Sequence, residues 1–393
     1  MNGRMFPGTR QMAWLLFSIL TVAAAISTHG GVAAKYLVYI GTYTDQGSRG
    51  IYAADFDAST GQLTSVRLAA ETLAPSFLAI APGQHFLYAV NELDHFEGQS
   101  AGAVSAFTMD SATGKLTLLN QISSRGSGPA FIALDRSGRY VLVANYGQGS
   151  VVVFQLLPGG KIGESTAYDR HHGSSVNSER QEGPHAHAIA ISPDNRFAVV
   201  ADLGLDKLFV YPFDAENGTL GEPRIVKTNP GVGPRHLIFS ADGRFLYVIN
   251  EMGSTVTVYS FQASDGAIEP LQQISTLPGN FAGKNTAAEV VLHPSGKFLY
   301  ASNRGDDNSI AVFAVDSGKG TLTVIEHVPT SGKTPRSFAV DPSGKWLLAA
   351  NQDSNSVVTF RINRESGRLT PTGQTVEIVS PAMVDFVSPQ HKK

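Results

Sequence analysis

The chain has 393 residues, is 42% apolar and 16% charged, and carries a formal charge of −3. That is the composition of a globular rather than a disordered chain, and it offers no basic surplus for binding nucleic acid. There is no cysteine, which excludes disulfides, thiolate metal sites and cysteine nucleophiles.

At the N-terminus, Arg4 and Arg10 precede an apolar run over residues 12–26, followed by Ala25-Ile26-Ser27 and Gly31-Val32-Ala33. This is the pattern of a secretory signal peptide, and the run is too short to span a bilayer comfortably. We expect residues 1–34 to be a signal peptide, with the cleavage point open and an uncleaved anchor as the alternative. Residues 35–393 then form one exported domain, periplasmic or secreted, with no membrane anchor once the signal is removed.

Residues 36–41, 51–56 and 63–68 read as three short strands. From there a unit repeats at intervals of about 50 residues, within the period range of propellers. Its marker is a glycine followed two positions later by Leu or Ile, at Gly61, Gly114, Gly160, Gly218, Gly266, Gly320 and Gly367. The unit after Pro234 shows the pattern. Residues 237–240 read as strand A, 245–250 as B, 255–261 as C and 268–274 as D, β-branched runs separated by Gly, Asp, Asn and Ser. Strand A recurs after Pro75, Pro129, Pro184, Pro335 and Pro381, and after Ala288 where proline is missing. Strand B ends at Asn91, Asn145, Asp202, Asn250, Asn303 and Asn351. The expected fold is all-β, a seven-bladed β-propeller with four antiparallel strands per blade. The first three strands lack an A, and residues 383–387 read as an A with nothing after it. One blade built from both termini closes the ring and removes its open edge.

In an antiparallel blade the start of A and the end of B lie at the same end of the sheet. Around the ring, the position after each proline reads Ser76, Ala130, His185, Arg235, Glu289, Arg336 and Ala382. Four consecutive blades therefore carry ionisable residues on one face. After the B ends stand Glu92, Tyr146, Leu203, Glu251, Arg304 and Gln352. Charges crowded at a channel mouth are costly unless paired or used. A lone Arg–Glu pair there would be structural, but a one-sided arc of His, Arg, Glu and Arg points to a site. The repeated Asn and Asp at the B ends are read as turn braces.

Residues 168–187 break the repeat with a long polar loop that holds four of the 11 histidines, His171, His172, His185 and His187. Such loops on a rigid scaffold tend to carry function. His185 and His187, two apart on a strand, could share a metal ion. Ser174 or Ser175 could act as a nucleophile, although no Gly-x-Ser-x-Gly elbow is present. Metal-free hydrolysis is the third chemistry: a His or Glu activates water while arginines hold an anionic substrate and its oxyanion. Arg235 and Arg336 favour it, because guanidinium binds carboxylate or phosphate bidentately.

Several stretches together resemble the seven-bladed propeller lactonases, the group of the propeller-type 6-phosphogluconolactonases and the carboxymuconate lactonising enzymes. They are Tyr39-Ile40-Gly41-Thr42-Tyr43-Thr44, His172-Gly173-Ser174-Ser175-Val176-Asn177 leading to Arg180-Gln181, Pro184-His185-Ala186-His187, Pro234-Arg235-His236, Val248-Ile249-Asn250-Glu251, Asn303-Arg304-Gly305 and Pro335-Arg336-Ser337-Phe338. The resemblance implies a lactone hydrolase without cofactor or metal, acting on a small sugar or acidic lactone, as a monomer or weak oligomer. It implies a site of one His, two Arg and a Glu, carried here by His185 or His187, Arg235, Arg336 and Glu251. His172, Asn177, Arg180, His236, Glu289, Arg304 and Glu92 are the expected substrate contacts. The arc of charges leaves Glu289 as an alternative to Glu251. An exported chain argues against 6-phosphogluconolactone, a cytosolic intermediate, as its own substrate. A lactonising cyclase, or a binding propeller that captures a sugar acid or protein, are the rival readings.

Overall fold

The computed structural model describes residues 35–387, so the expected signal peptide lies outside the described residues. The strands form seven separate antiparallel sheets, with no α-helix among the described residues and one 3-10 turn at Gln352–Ser354. Blade 1 has the order A–B–C–D as Pro381–Val387, Lys35–Thr42, Gly50–Asp57 and Gln62–Glu71. Its A and B come from opposite ends of the chain, with Tyr39 opposite Asp385. Blades 2 to 7 follow in chain order, each with A first in sequence and D last. Only blade 4 departs, its D strand being split into Thr219–Leu220 and Arg224–Lys227 around Gly221-Glu222-Pro223.

Strand B is hydrogen-bonded on both edges and covered by neighbouring blades on both faces, so it reads as a continuous apolar run rather than an alternating one. All six residues of Tyr140–Asn145, Phe197–Asp202, Phe245–Asn250 and Trp346–Asn351 are buried. Burial is therefore spread over seven inter-blade clusters instead of one central core.

The Gly-x-Leu repeat has a packing cause. Six of its glycines lie under an aromatic ring near the start of strand B in the preceding blade: Gly61 under Trp346, Gly160 under Phe86, Gly218 under Tyr140, Gly266 under Phe197, Gly320 under Phe245 and Gly367 under Phe298. Gly320 illustrates the requirement. It has φ +73°, and a Cβ there would come within 2.3 Å of the Phe245 ring. Both the left-handed backbone and the lack of a side chain are needed. Gly114 is the exception, facing Leu37 and Ala53 instead. Polar stitches cross the same seams: Tyr39, Tyr88 and Tyr300 donate to the carbonyls of Gly114, Gly160 and Gly367, and Trp346 Nε1 donates to Ala58 O at 2.9 Å.

The register at the channel mouth corrects the sequence-based alignment. The B-end residues pair with Pro129, Ala186, Pro234, Ala287, Pro335 and Pro381. Strand A then carries one extra residue before the regular ladder resumes, a β-bulge that re-aims a side chain. The equivalent residues are thus Ala130, His187, Arg235, Ala288, Arg336 and Ala382. His187, not His185, shares the position of Arg235. Glu289 falls one step further on, level with His236. Proline marks this entry point in most blades but not in these two. In blade 4 the long loop brings Pro184 in two residues early, and in blade 6 Ala287 replaces the proline.

Candidate active site

Glu251 follows strand B of blade 5 and is the hub of the mouth. Its Oε2 accepts from Arg235 Nε at 3.0 Å and lies 3.0 Å from Arg304 Nη2. Its Oε1 accepts from Arg180 Nη2 at 2.8 Å. The three guanidiniums come from strand A of the same blade, the B end of blade 6 and the long loop. Burial alone would raise the Glu251 carboxyl, but Arg304, Arg235 and Arg180 hold it down at about 2. Arg235 is 1% exposed and also donates to Ala288 O. Burial and the like charges of Arg304 and Arg336 push its guanidinium down to about 9, still charged at neutral pH. One carboxylate faces three cations, so the mouth stays positive.

Arg336 belongs to a different corner. It sits over the Tyr43 ring at 5.0 Å and 3.7 Å from Glu92, whose Oε2 accepts from Tyr43 OH at 2.8 Å. The arginine that joins Arg235 on the glutamate is Arg304, expected from sequence only as a substrate contact.

The histidines separate as the bulge dictates. His187 is buried, edge-on to Tyr146 at 5.4 Å and to His236 at 5.1 Å. Burial, together with Arg235, His236 and Arg336, pushes its imidazole well below the usual histidine value, and its Nδ1 has no hydrogen-bond partner among the described residues. His185 precedes the strand and stacks on the ring of the same tyrosine at 4.5 Å. Its Nδ1 meets Tyr146 O at 3.0 Å and its Nε2 meets Glu182 at 3.2 Å. The two do not form a chelating pair, and no group of three or more His, Asp and Glu side chains among the described residues is placed to hold a metal ion.

Beneath the mouth, His236 lies against Phe77 and Phe131 and donates Nδ1–H to Glu289 at 2.9 Å. Burial lowers His236 to about 4, which leaves a neutral imidazole beside the Glu289 carboxylate. Asp385, brought in by the closing strand, is raised by burial to about 6, with Glu289 adding to the effect.

The loop over residues 171–185 is pinned along its length. His171 bonds Asp202 at 2.6 Å and Tyr211 at 2.9 Å, and Ser175 donates to Asp206 at 2.5 Å. Asn177 caps a turn by accepting from the amides of Glu179 and Arg180, which presents Arg180 to Glu251. His172 is exposed, outside this contact set. Asn145, Asn303 and Asn351 brace D-strand ends through their amides, and Asp202 accepts from the turn amides of His185 and Leu205 while its other oxygen takes His171. Sequence reasoning placed His171 in the loop without its partner Asp202, and missed Asp385. An aspartate at one B end among asparagines, and an acid inside an apolar closing strand, were the available signals.

Two clefts open on this face. One, of about 400 Å³, is lined by Arg180, Lys284, Arg304, Glu251 and Thr334. The other, of about 570 Å³, is lined by Tyr43, Glu92, Arg336 and Asp353. A larger hollow of about 1160 Å³ lies among the A–B and C–D turns around Trp346, at the opposite end of the blades.

Residues 37–386 match the family model described as lactonase, 7-bladed beta-propeller. The chain belongs to this lactonase family. It is 35% identical over 353 residues to a 6-phosphogluconolactonase of Bacillus subtilis, covering 90% of this chain and 99% of the relative. A 6-phosphogluconolactonase of Formosa agariphila is 33% identical over 359 residues, covering 90% and 100%. Among solved structures, a periplasmic gluconolactonase of Pseudomonas aeruginosa is 36% identical with a TM-score of 0.86, covering 90% of this chain and 99% of that one.

In this propeller lactonase the mouth combines an excess of fixed positive charge, a buried neutral imidazole and a rigid blade framework. Preorganised cations of this kind stabilise an oxyanion without reorganising during reaction. An uncharged imidazole beside them offers a lone pair that a protonated one lacks.

Proposed function

We propose that the protein is an exported lactonase that opens an aldonolactone by direct attack of water. The observation that carries this reading is the convergence of Arg180, Arg235 and Arg304 on Glu251 beside the unprotonated His187. His187 takes a proton from water as its oxygen bonds to the lactone carbonyl carbon. The carbonyl electron pair moves onto oxygen and is held by Arg304 and Arg336. Collapse breaks the bond to the ring oxygen, which takes the proton back from His187 and leaves as a hydroxyl. The acid product ionises and releases one proton.

Glu251 acts here as a positioning residue. Both its oxygens are committed to guanidiniums and its carboxyl is held at about 2, so it is a poor proton acceptor. The apolar run over residues 12–26 and the likeness to a periplasmic gluconolactonase support export; fractionation of cells tests it. Proton release from glucono-lactones, with the spontaneous rate subtracted, tests the activity. Arg235→Ala and His187→Ala should each lose most of it. Wild-type rates from both variants would reject this site, and ligand-induced thermal stabilisation without turnover would indicate a binding protein instead.

A further inference from the structure

The two clefts on the catalytic face carry opposite charge. The first has Arg180, Lys284 and Arg304 against Glu251 alone. The second has Asp45, Glu92 and Asp353 against Arg336 alone. Thr334 lines one and Arg336 the other, so the entry of strand A in blade 7 is the wall between them. The remaining polar lining of the second cleft includes Gln352 and Asn355. Glu92 accepts from Tyr43 OH and is flanked by Arg336. Burial raises the Tyr43 phenol, which keeps it a neutral donor.

Carboxylates accept hydrogen bonds from hydroxyls, and amides both donate and accept, so such a lining suits a polyhydroxylated chain. A phosphate monoester, carrying about −1.5 to −2 charges near neutral pH, would meet a surplus of negative charge. In a hexonolactone the carbonyl and the terminal carbon lie at opposite ends of the molecule. With the carbonyl held by the arginines, the terminal group faces the acidic cleft. We propose that this cleft is a polyol subsite that selects lactones with an uncharged hydroxylated tail and rejects those with a terminal phosphate. The proposal rests on the lactonase reading above and adds the substrate class. Rejection through like charge is a recognised route to specificity.

The test compares kcat/KM for glucono-1,5-lactone and its 6-phosphate at low ionic strength, using the full mature chain. Wild type should favour the neutral lactone by ~10-fold or more, and added salt should narrow the ratio because exposed charges are screened. Asp45 and Asp353 are exposed, and Asn keeps their shape and an acceptor oxygen. D45N/D353N should therefore fold, as thermal melting will check, and should shrink the preference by roughly tenfold. The single variant D45N should give a smaller change in the same direction. A wild type that turns over the phosphorylated lactone as well or better, or a folded double variant with an unchanged ratio, would overturn the subsite. Failure to turn over either lactone would instead remove the functional reading on which it rests.

Discussion

Arg235 Nε lies 3.0 Å from Glu251 Oε2, with both side chains almost wholly removed from water. Glu251 also holds Arg304 and Arg180, so its loss frees three guanidiniums at once. Leaving a buried charge without its partner costs about 3–5 kcal/mol. Glu251→Ala is expected to lower thermal stability by that order and kcat/KM by at least ~100-fold. Glu251→Gln, which keeps one acceptor, should fall between. Denaturant melts and proton-release rates on the same preparations check both.

His187 is kept unprotonated by burial and by Arg235, His236 and Arg336. A base with a depressed value keeps its lone pair into acid. The acid limb of kcat/KM should therefore lie well below that of an ordinary histidine, which titrates near ~6.5. A limb centred on that ordinary value would exclude His187 as the base.

Asp385 lies on the closing strand opposite Tyr39, with its value raised to about 6 by burial. An unfolded aspartate titrates near ~3.9. The protonated form is therefore favoured in the folded protein. Stability from this group is fully present below about 3.9 and is lost as pH rises through about 6. Asp385→Asn should stabilise the protein by on the order of 1–3 kcal/mol at about pH 7.5 and leave it nearly unchanged at about pH 3.5. Melting curves at the two pH values decide this, and equal shifts at both would rule out titration as the cause.

Gly320 has φ +73° and lies under Phe245. Gly320→Ala should cost about 2–4 kcal/mol through backbone strain and collision with the ring. Gly296 has a similar φ of +69°, but a methyl group added there would meet nothing within 4 Å. Gly296→Ala should therefore cost only the backbone part, about 1–2 kcal/mol. Equal losses would mean that the ring contact contributes nothing.

Arg180 reaches Glu251 from a surface loop and is itself partly exposed. If it mainly captures the substrate, Arg180→Ala should raise KM by ~10-fold while reducing kcat less. A fall in kcat with KM unchanged would place Arg180 at the developing oxyanion.

The strands were legible because the blades repeat local signals: a left-handed glycine, an aromatic near the head of strand B and, in five of the seven, an Asn at its end. The face was legible because connectivity alone puts A starts and B ends together. The bulge was not. It adds one residue to strand A, and proline marks the entry in most blades but misleads in blade 4 and is absent in blade 6. Hence His187 replaced His185, and Glu289 moved level with His236. The clustering around Glu251 was hidden for another reason. Arg180 is 71 residues away in sequence, and only packing decides whether Arg304 or Arg336 reaches the carboxylate.

Blade 1 is the one blade whose A and B strands are not joined by a turn. The chain begins its first strand at Lys35 and completes its last at Val387, beside Leu37. This gap therefore lies where other blades have their A–B turns, at the far end of the disc from Glu251. A tether joined directly at Lys35 or at Val387 would leave from the back of the disc. Immobilised through such a tether, the protein would present the mouth around Glu251 to the solution.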